Sequence, residues 1–380
     1  MTEISTPAKP RVHLAHIDGL RALCALWVLA FHAYVIGHIF PDPLPLFLQW
    51  IKWGGLAVPA FIVISGFCLM MPVVKTGKIA GGGVKHFYWK RMRRILPPYY
   101  AALIIFIFVN HPTIKSDIYL HLLLLHNFNG QSFFGNINQS FWSIAVECQI
   151  YVLFPLFVLA WQKWGVARSA AVIFPLIYLA NEAAQHTHLW GMCLDFIGLF
   201  LIGALGANFA FSVQAQTARF RNRAPWLIMA GLFVISLIVV TLTVNLPLRH
   251  PSDNGLWVLG WQVSARNALM GLSVSCLLVS ATLRDNAARK FLSWKPLVWL
   301  GSFSYSLYLL HQPFVNHLAG LLFMRRVSMS ASLLIFLVSV PIIIGVSYVF
   351  HLCFERPFMS SPAPKTERQA EQAAIDSPAP

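Results

Sequence analysis

Ten stretches of about 17 to 27 mostly apolar residues constrain this chain more than anything else in it. They run roughly over 17–38, 54–73, 95–111, 141–162, 170–186, 190–210, 225–245, 256–282, 297–321 and 331–354. About 20 apolar residues cross a bilayer as a helix, and hydrocarbon admits only helices and closed barrels, because backbone groups there must satisfy one another. The expected fold is an all-α integral membrane protein with about ten transmembrane helices. Composition agrees: 57% of the 380 residues are hydrophobic and 11% are charged. That excludes a disordered chain and leaves a soluble domain too little interior for its apolar surface.

One further apolar run, Ile118–Phe128, is too short to cross. As helix, its 11 or so residues would rise only about 16 Å, which suits a re-entrant or interfacial segment. Charge placement tests this. If that segment does not cross, 22 of the 28 Lys and Arg fall on the side of the N-terminus. Five fall on the opposite side and Arg266 sits mid-span. If it did cross, the bias would largely collapse. Basic residues mark cytoplasmic loops, so both termini are expected in the cytoplasm. The net charge of +15 then reads as an orientation signal, and no nucleic-acid partner is expected.

Residues 1–13 read as a polar cytoplasmic tail without a signal peptide, residues 14–358 as the transmembrane domain, and 359–380 as a disordered tail rich in Pro, Ala, Ser and Gln. The six cysteines lie in apolar segments without CxxC spacing. They are expected to be small buried hydrophobes, with no disulfide framework and no metal site.

Several polar residues stand where they are costly. Arg21 and His32 are 11 residues apart in the first span, within about 20° of one helical stripe and about 16 Å apart along the axis. Arg21 near the inner end could simply snorkel. His32, deeper in the span, is a functional candidate by default, although a lone membrane histidine can also serve as a helix-to-helix hydrogen bond. The basic segment ending WKRMRRILPPYY holds Arg91 and Arg94 just ahead of a helix expected to open at Pro97 and Pro98. A positive-inside anchor explains such a cluster; an anion site built from guanidinium forks and a helix N-terminus is the functional reading. Glu147 lies about 9 Å below the outer surface, as does His32, and His311 about 13 Å. Ser304, Tyr308 and His311 share one stripe. Asp18, Asn181, Glu182, Asp195, Arg266 and Asn267 are expected to be mainly structural, with Asp195 or Glu182 as a partner for Arg266.

Six strings occur in order over residues 14–358: IDGLRALCALWVLAFH, PAFIVISGF, FYWKRMRRILPPYY, FWSIAVECQIYVLFP, SYSLYLLHQP and FERPF. Together they resemble the membrane acyltransferase-3 family of bacterial O-acetyltransferases. The resemblance implies about ten core helices and transfer of an acyl group, commonly acetyl from acetyl-CoA, to an acceptor hydroxyl. It maps the family's Arg-x10-His onto Arg21 and His32, its Arg-x-x-Arg onto Arg91 and Arg94, its motif glutamate onto Glu147 and its later histidine onto His311. Some members carry an extracytoplasmic hydrolase-like domain; here a stand-alone member is expected.

The expected function is therefore a multi-pass enzyme of the bacterial inner membrane that acylates a hydroxyl of a surface polysaccharide, lipopolysaccharide or other glycan. Arg21, Arg91 and Arg94 would hold the coenzyme A phosphates. His32 would act as general base or transient acyl carrier, with Glu147 and His311 completing the catalytic set. The acceptor pocket would come from outer loops such as 128–140 and 245–256. Two other classes remain open at this point: a proton-coupled transporter or flippase using intramembrane His and Glu, and a catalytically silent assembly partner. Paired broken helices, a frequent transporter sign, are not evident in the sequence.

Overall fold

A computed structural model describes residues 14–35, 45–79, 83–112, 115–133, 137–185, 187, 189–213, 260–324 and 329–359. Among these residues the regular structure is helical. The spanning elements are α1 (Ala15–Val35), α2 (Ala57–Thr76, preceded by a 3₁₀ segment Leu46–Leu56), α3 (Gly83–Asn110), α6 (Phe141–Trp164), α7 (Val166–Gln185), α8 (Asp195–Phe211), α9 (Gly260–Leu283) and α13 (Met329–Phe350). These eight are long and apolar enough to cross a membrane, and they coincide with eight expected spans. The apolar stretch 225–245 and the loop 245–256 lie outside the described residues.

The expected span 297–321 is broken. Short helices α10 (Ala287–Leu292) and α11 (Lys295–Ser302) precede α12 (Ser304–Met324), and the chain leaves helical geometry at Phe303. The 21 residues of α12 are enough to cross, but His311, Gln312, Asn316 and His317 make it more polar than its neighbours. The break coincides with a backbone contact: a Cβ on Gly301 would fall 1.9 Å from the Asp18 carbonyl oxygen, and one on Gly19 1.8 Å from that of Leu292. The N-terminal end of α1 is thus seated directly on α10 and α11. Gly66 and Gly203 let α2 and α8 meet in the same way, the small-residue packing usual between membrane helices.

The short apolar run does not cross. It folds as α4 (Lys115–Leu122), a 3₁₀ turn (His126–Phe128) and α5 (Gly130–Phe133). Tyr99 and Tyr100, halfway along α3, donate to the carbonyls of His121 and Leu122, each at 2.9 Å. The chain reverses at Leu124, whose φ is +56°. Gln149, two turns into α6, donates to the Leu124 carbonyl at 3.1 Å. The segment therefore dips beside α3 and α6 and returns to the end it entered from, as a re-entrant hairpin.

Helix α3 starts at Gly83, fourteen residues before Pro97. Both prolines sit inside it, so Arg91 and Arg94 stand within a continuous helix rather than ahead of its N-terminus. The basic run stays helical because Phe87 and Ile95 are buried against the core. The outward stripe Leu334, Leu337, Val338, Ile342, Val346 and Val349 of α13 is exposed, as a lipid-facing surface should be. The cysteines form no disulfide; Cys24 and Cys148 are buried, but Cys353 is exposed, on that apolar perimeter rather than in the core.

Candidate active site

Helix α1 sets the axis of the site. Its N-terminal end holds Arg21, which donates to Asp18 Oδ1 at 3.3 Å and to Cys68 Sγ at 3.6 Å. Arg91 and Arg94 of α3 approach the same space, and the three arginines line one cavity of about 110 Å³ with Ser65, Glu147 and Tyr308. The Nε of Arg91 is buried there without a hydrogen-bond partner among the described residues. A buried, unpaired guanidinium donor is costly and points to a ligand with acceptor oxygens.

Glu147 is held by hydroxyls. Ser65 Oγ donates to its Oε1 at 2.5 Å and Tyr151 donates to the same oxygen. Ser65 also lies 2.8 Å from the Tyr151 hydroxyl. One turn back on α6, Ser143 meets the Tyr308 hydroxyl at 2.6 Å. The ring of Tyr308 packs edge-on against Phe61, with centroids 5.8 Å apart. Both rings line the cavity.

Beside Tyr308 stands a histidine pair. His311 Nε2 lies 3.1 Å from His32 Nδ1. His311 Nδ1 lies 2.7 Å from the Tyr308 carbonyl, and His32 Nδ1 lies 3.0 Å from the Val28 carbonyl. Carbonyls accept only, so Nδ1 of each ring carries the proton. In its neutral form His311 then presents a lone pair at Nε2, which accepts from His32 Nδ1–H. His32 Nε2 is left with its lone pair available. His32 is only partly buried. A base oriented through its other nitrogen is the logic of catalytic triads, here with an imidazole in the orienting position.

The six residues predicted from the sequence thus fall into two groups. Arg21, Arg91, Arg94 and Glu147 share the cavity, while His32 and His311 pair beyond it. Glu147, expected at the same depth as the histidines, is engaged by Ser65 and Tyr151 instead. Sequence reasoning passed over Ser65, Tyr151, Ser143 and Glu355. Ser65 lies inside the string PAFIVISGF and Glu355 inside FERPF, so position in a motif was the available signal. Glu355 sits on a π-helical turn, His351–Glu355, and lines the cavity. It accepts from Ser306 Oγ at 2.5 Å and pairs with His351 Nδ1 at 2.8 Å.

The other intramembrane polar groups brace α7, α8 and α9. Asn267 donates to Asp195 Oδ2 at 2.9 Å, and Asn181 donates to Ser264 at 3.0 Å. Arg266 Nε has no hydrogen-bond partner among the described residues. Among those residues no three His, Cys, Asp or Glu side chains are grouped to hold a metal.

The sequence matches the Acyl_transf_3 acyltransferase domain over residues 14–352. The chain belongs to that acyltransferase family. All the residues of the cavity and the histidine pair except Glu355 fall within the matched range. The peptidoglycan O-acetyltransferase OatA of Listeria monocytogenes is 24% identical over 339 residues, covering 80% of this chain and 50% of OatA. YrhL of Bacillus subtilis, provisionally named a peptidoglycan O-acetyltransferase, is 24% identical over 332 residues, with 80% and 49% covered. A Staphylococcus aureus protein provisionally named an O-acetyltransferase is 22% identical over 346 residues, with 80% and 51% covered. The chain therefore spans about half the length of these curated relatives. No solved structure matches it significantly.

Proposed function

We propose that this family member is a multi-pass O-acyltransferase of the bacterial inner membrane, with both termini cytoplasmic. It moves an acyl group, most simply acetyl, from cytoplasmic acyl-CoA to a hydroxyl of a cell-envelope glycan. One observation carries this reading. A single cavity is lined by three arginines, Glu147 and Tyr308, and the His32–His311 pair packs against the Tyr308 ring.

The chemistry follows from that order. Arg21, Arg91 and Arg94 hold donor phosphates through charge-assisted hydrogen bonds. The rise of about 16 Å from Arg21 to His32 is the distance an extended acyl-bearing arm has to cover. Glu147 and its hydroxyl partners flank that path. His32 Nε2 takes the proton from the acceptor hydroxyl as its oxygen bonds to the acyl carbon, and the carbon–sulfur bond breaks to release the coenzyme A thiolate. Attack on the thioester by Nε2 itself, giving a short-lived acyl-histidine, uses the same geometry. The relatives' names make peptidoglycan the first acceptor to try.

The test is transfer of radiolabelled acetyl from acetyl-CoA to glycan in proteoliposomes. The expected result is loss of transfer in His32→Ala with the protein still folded and inserted. Near-wild-type transfer by that variant would overturn the mechanism. Translocation of a glycan without consumption of acyl-CoA would replace the enzyme reading with a transporter. Mass spectrometry of envelope glycans with and without the gene identifies donor and acceptor together.

A further inference from the structure

The cytoplasmic extension of α3 builds a second concavity. His86, Lys90 and Arg93 follow one another at i, i+4 and i+7 on one face of the helix, with Trp89 beside them. Together with Arg91 and Arg94 they line a pocket of about 250 Å³, closed on its other side by Phe358 and Met359 of the last described helix, α14 (Arg356–Met359). Arg91 and Arg94 line this pocket and the inner cavity alike. The two spaces therefore share a neck made of guanidinium groups.

Their linings differ in kind. The inner cavity includes two carboxylates, Glu147 and Glu355, among hydroxyl and aliphatic groups. Among the described residues the outer pocket has no acidic lining residue; it has four Lys or Arg, one His, one Trp, one Phe and one Met. An orientation signal needs positive charge only near the headgroups. It does not need the charges gathered around a hollow with an indole ring in it, nor a buried Arg91 Nε left unpaired at the neck. Dense phosphate with an attached aromatic base matches that lining, since cationic side chains pair with phosphate oxygens and indole faces stack on bases.

Building on the acyl-CoA reading above, we propose that the outer pocket receives the 3′-phosphorylated adenosine end of the donor. Arg91 and Arg94 grip the diphosphate at the neck, Lys90 and Arg93 take the 3′-phosphate, and Trp89 lies against the adenine. The arm that follows the diphosphate then enters the inner cavity. The pocket thereby selects donors carrying the 3′-phosphate over those without it.

Equilibrium binding tests this without turnover. Calorimetry on the purified full-length protein would compare coenzyme A with 3′-dephospho-coenzyme A. Wild type should bind the dephospho form about tenfold more weakly, the loss expected for one charge-assisted phosphate contact. Lys90→Gln with Arg93→Gln should weaken coenzyme A by a similar factor and bind both ligands equally. Size-exclusion profiles check that this variant, altered at two half-buried positions of α3, remains folded. Equal wild-type affinities, or discrimination that survives in the variant, would overturn the assignment while leaving the acyl-CoA reading intact. No binding of coenzyme A at all would remove both. Repeating the measurement with added phosphatidylglycerol covers a lipid phosphate as the true occupant. In that case the lipid would compete with coenzyme A in wild type but not in the variant, and the 3′-phosphate would make no difference.

Discussion

The two ends of the site are built from opposite materials. The inner cavity gathers three guanidinium groups and two carboxylates, whereas the outer pair is two imidazoles bonded to each other and to backbone carbonyls. The difference fits the separate tasks. A phosphorylated donor is held by fixed charge, but a base must keep a lone pair. A carboxylate in contact with an imidazole favours the protonated form. The structure avoids that contact by giving Glu147 to Ser65 and Tyr151 and leaving His311 to orient His32.

The largest effect should come from breaking the outer pair. His32→Ala is expected to lower turnover by about a thousandfold, the middle of the range for a general base. His311→Ala should lower it by about a hundredfold, with partial recovery in His311→Gln, whose amide oxygen can accept from His32. Initial rates across the three variants decide this. A His311→Ala enzyme as active as wild type would end the idea of an orienting imidazole.

Next comes the anchoring of the inner end. Glu355→Ala strands His351 and Ser306, both buried, and leaving a buried hydrogen-bond donor unsatisfied typically costs about 1–3 kcal/mol. Thermal melting in detergent should show a clear drop. An unchanged midpoint would show that the π-helical turn holds without its carboxylate.

A smaller effect should separate the two ends kinetically. Arg91→Ala with Arg94→Ala is expected to raise the apparent KM for acyl-CoA by about ten- to a hundredfold while kcat changes little. A fall in kcat alone would place these arginines with the chemistry instead of with donor binding.

The smallest expected effect concerns the hairpin beside the outer end. His126 is buried, stacked on His121 with ring centroids 3.9 Å apart. Burial, and then the neighbouring ring, push His126 down to about 3; burial likewise lowers His121, against the raising influence of the Asp117 carbonyl and carboxylate. Both folded values lie below the unfolded value of about 6.5. A detached hairpin therefore binds more protons than a seated one below that pH. Seating should be full above about pH 6.5 and weaken steadily as the pH falls toward about 3. Hydrogen exchange around Leu124–Phe128, corrected for intrinsic rate, should rise between about pH 7 and 5, and His126→Phe should flatten the rise.

What could be read from the sequence divides along a physical line. Eight of the ten spans were legible because little besides a bilayer calls for an apolar run of membrane length. The hairpin was legible because it was too short and its crossing would scramble the charge bias. Rise per residue gave Arg21, His32 and Glu147 a depth along their own helices only. Neighbours were not legible. Equal depth put Glu147 with the histidines, while the rotation and packing of α6 turned it toward Ser65 on α2. The start of α3 was hidden because WKRMRR reads as a loop unless Phe87 and Ile95 are known to be buried. The break at Phe303 was hidden because no proline marks it; its companion is the contact between Gly301 and the Asp18 carbonyl.

That contact makes α1 a lever. Its fulcrum is the glycine-level seating at Gly19 and Gly301, one turn or less from Arg21. His32 rides at the far end, about 20 Å along the axis. A tilt of only about 10° about the fulcrum would swing His32 by about 3 Å, as much as its whole separation from His311, while barely moving Arg21. Bulk added at Gly19, remote from both histidines, would therefore be felt first as a misaimed base and only second as a weakened donor grip.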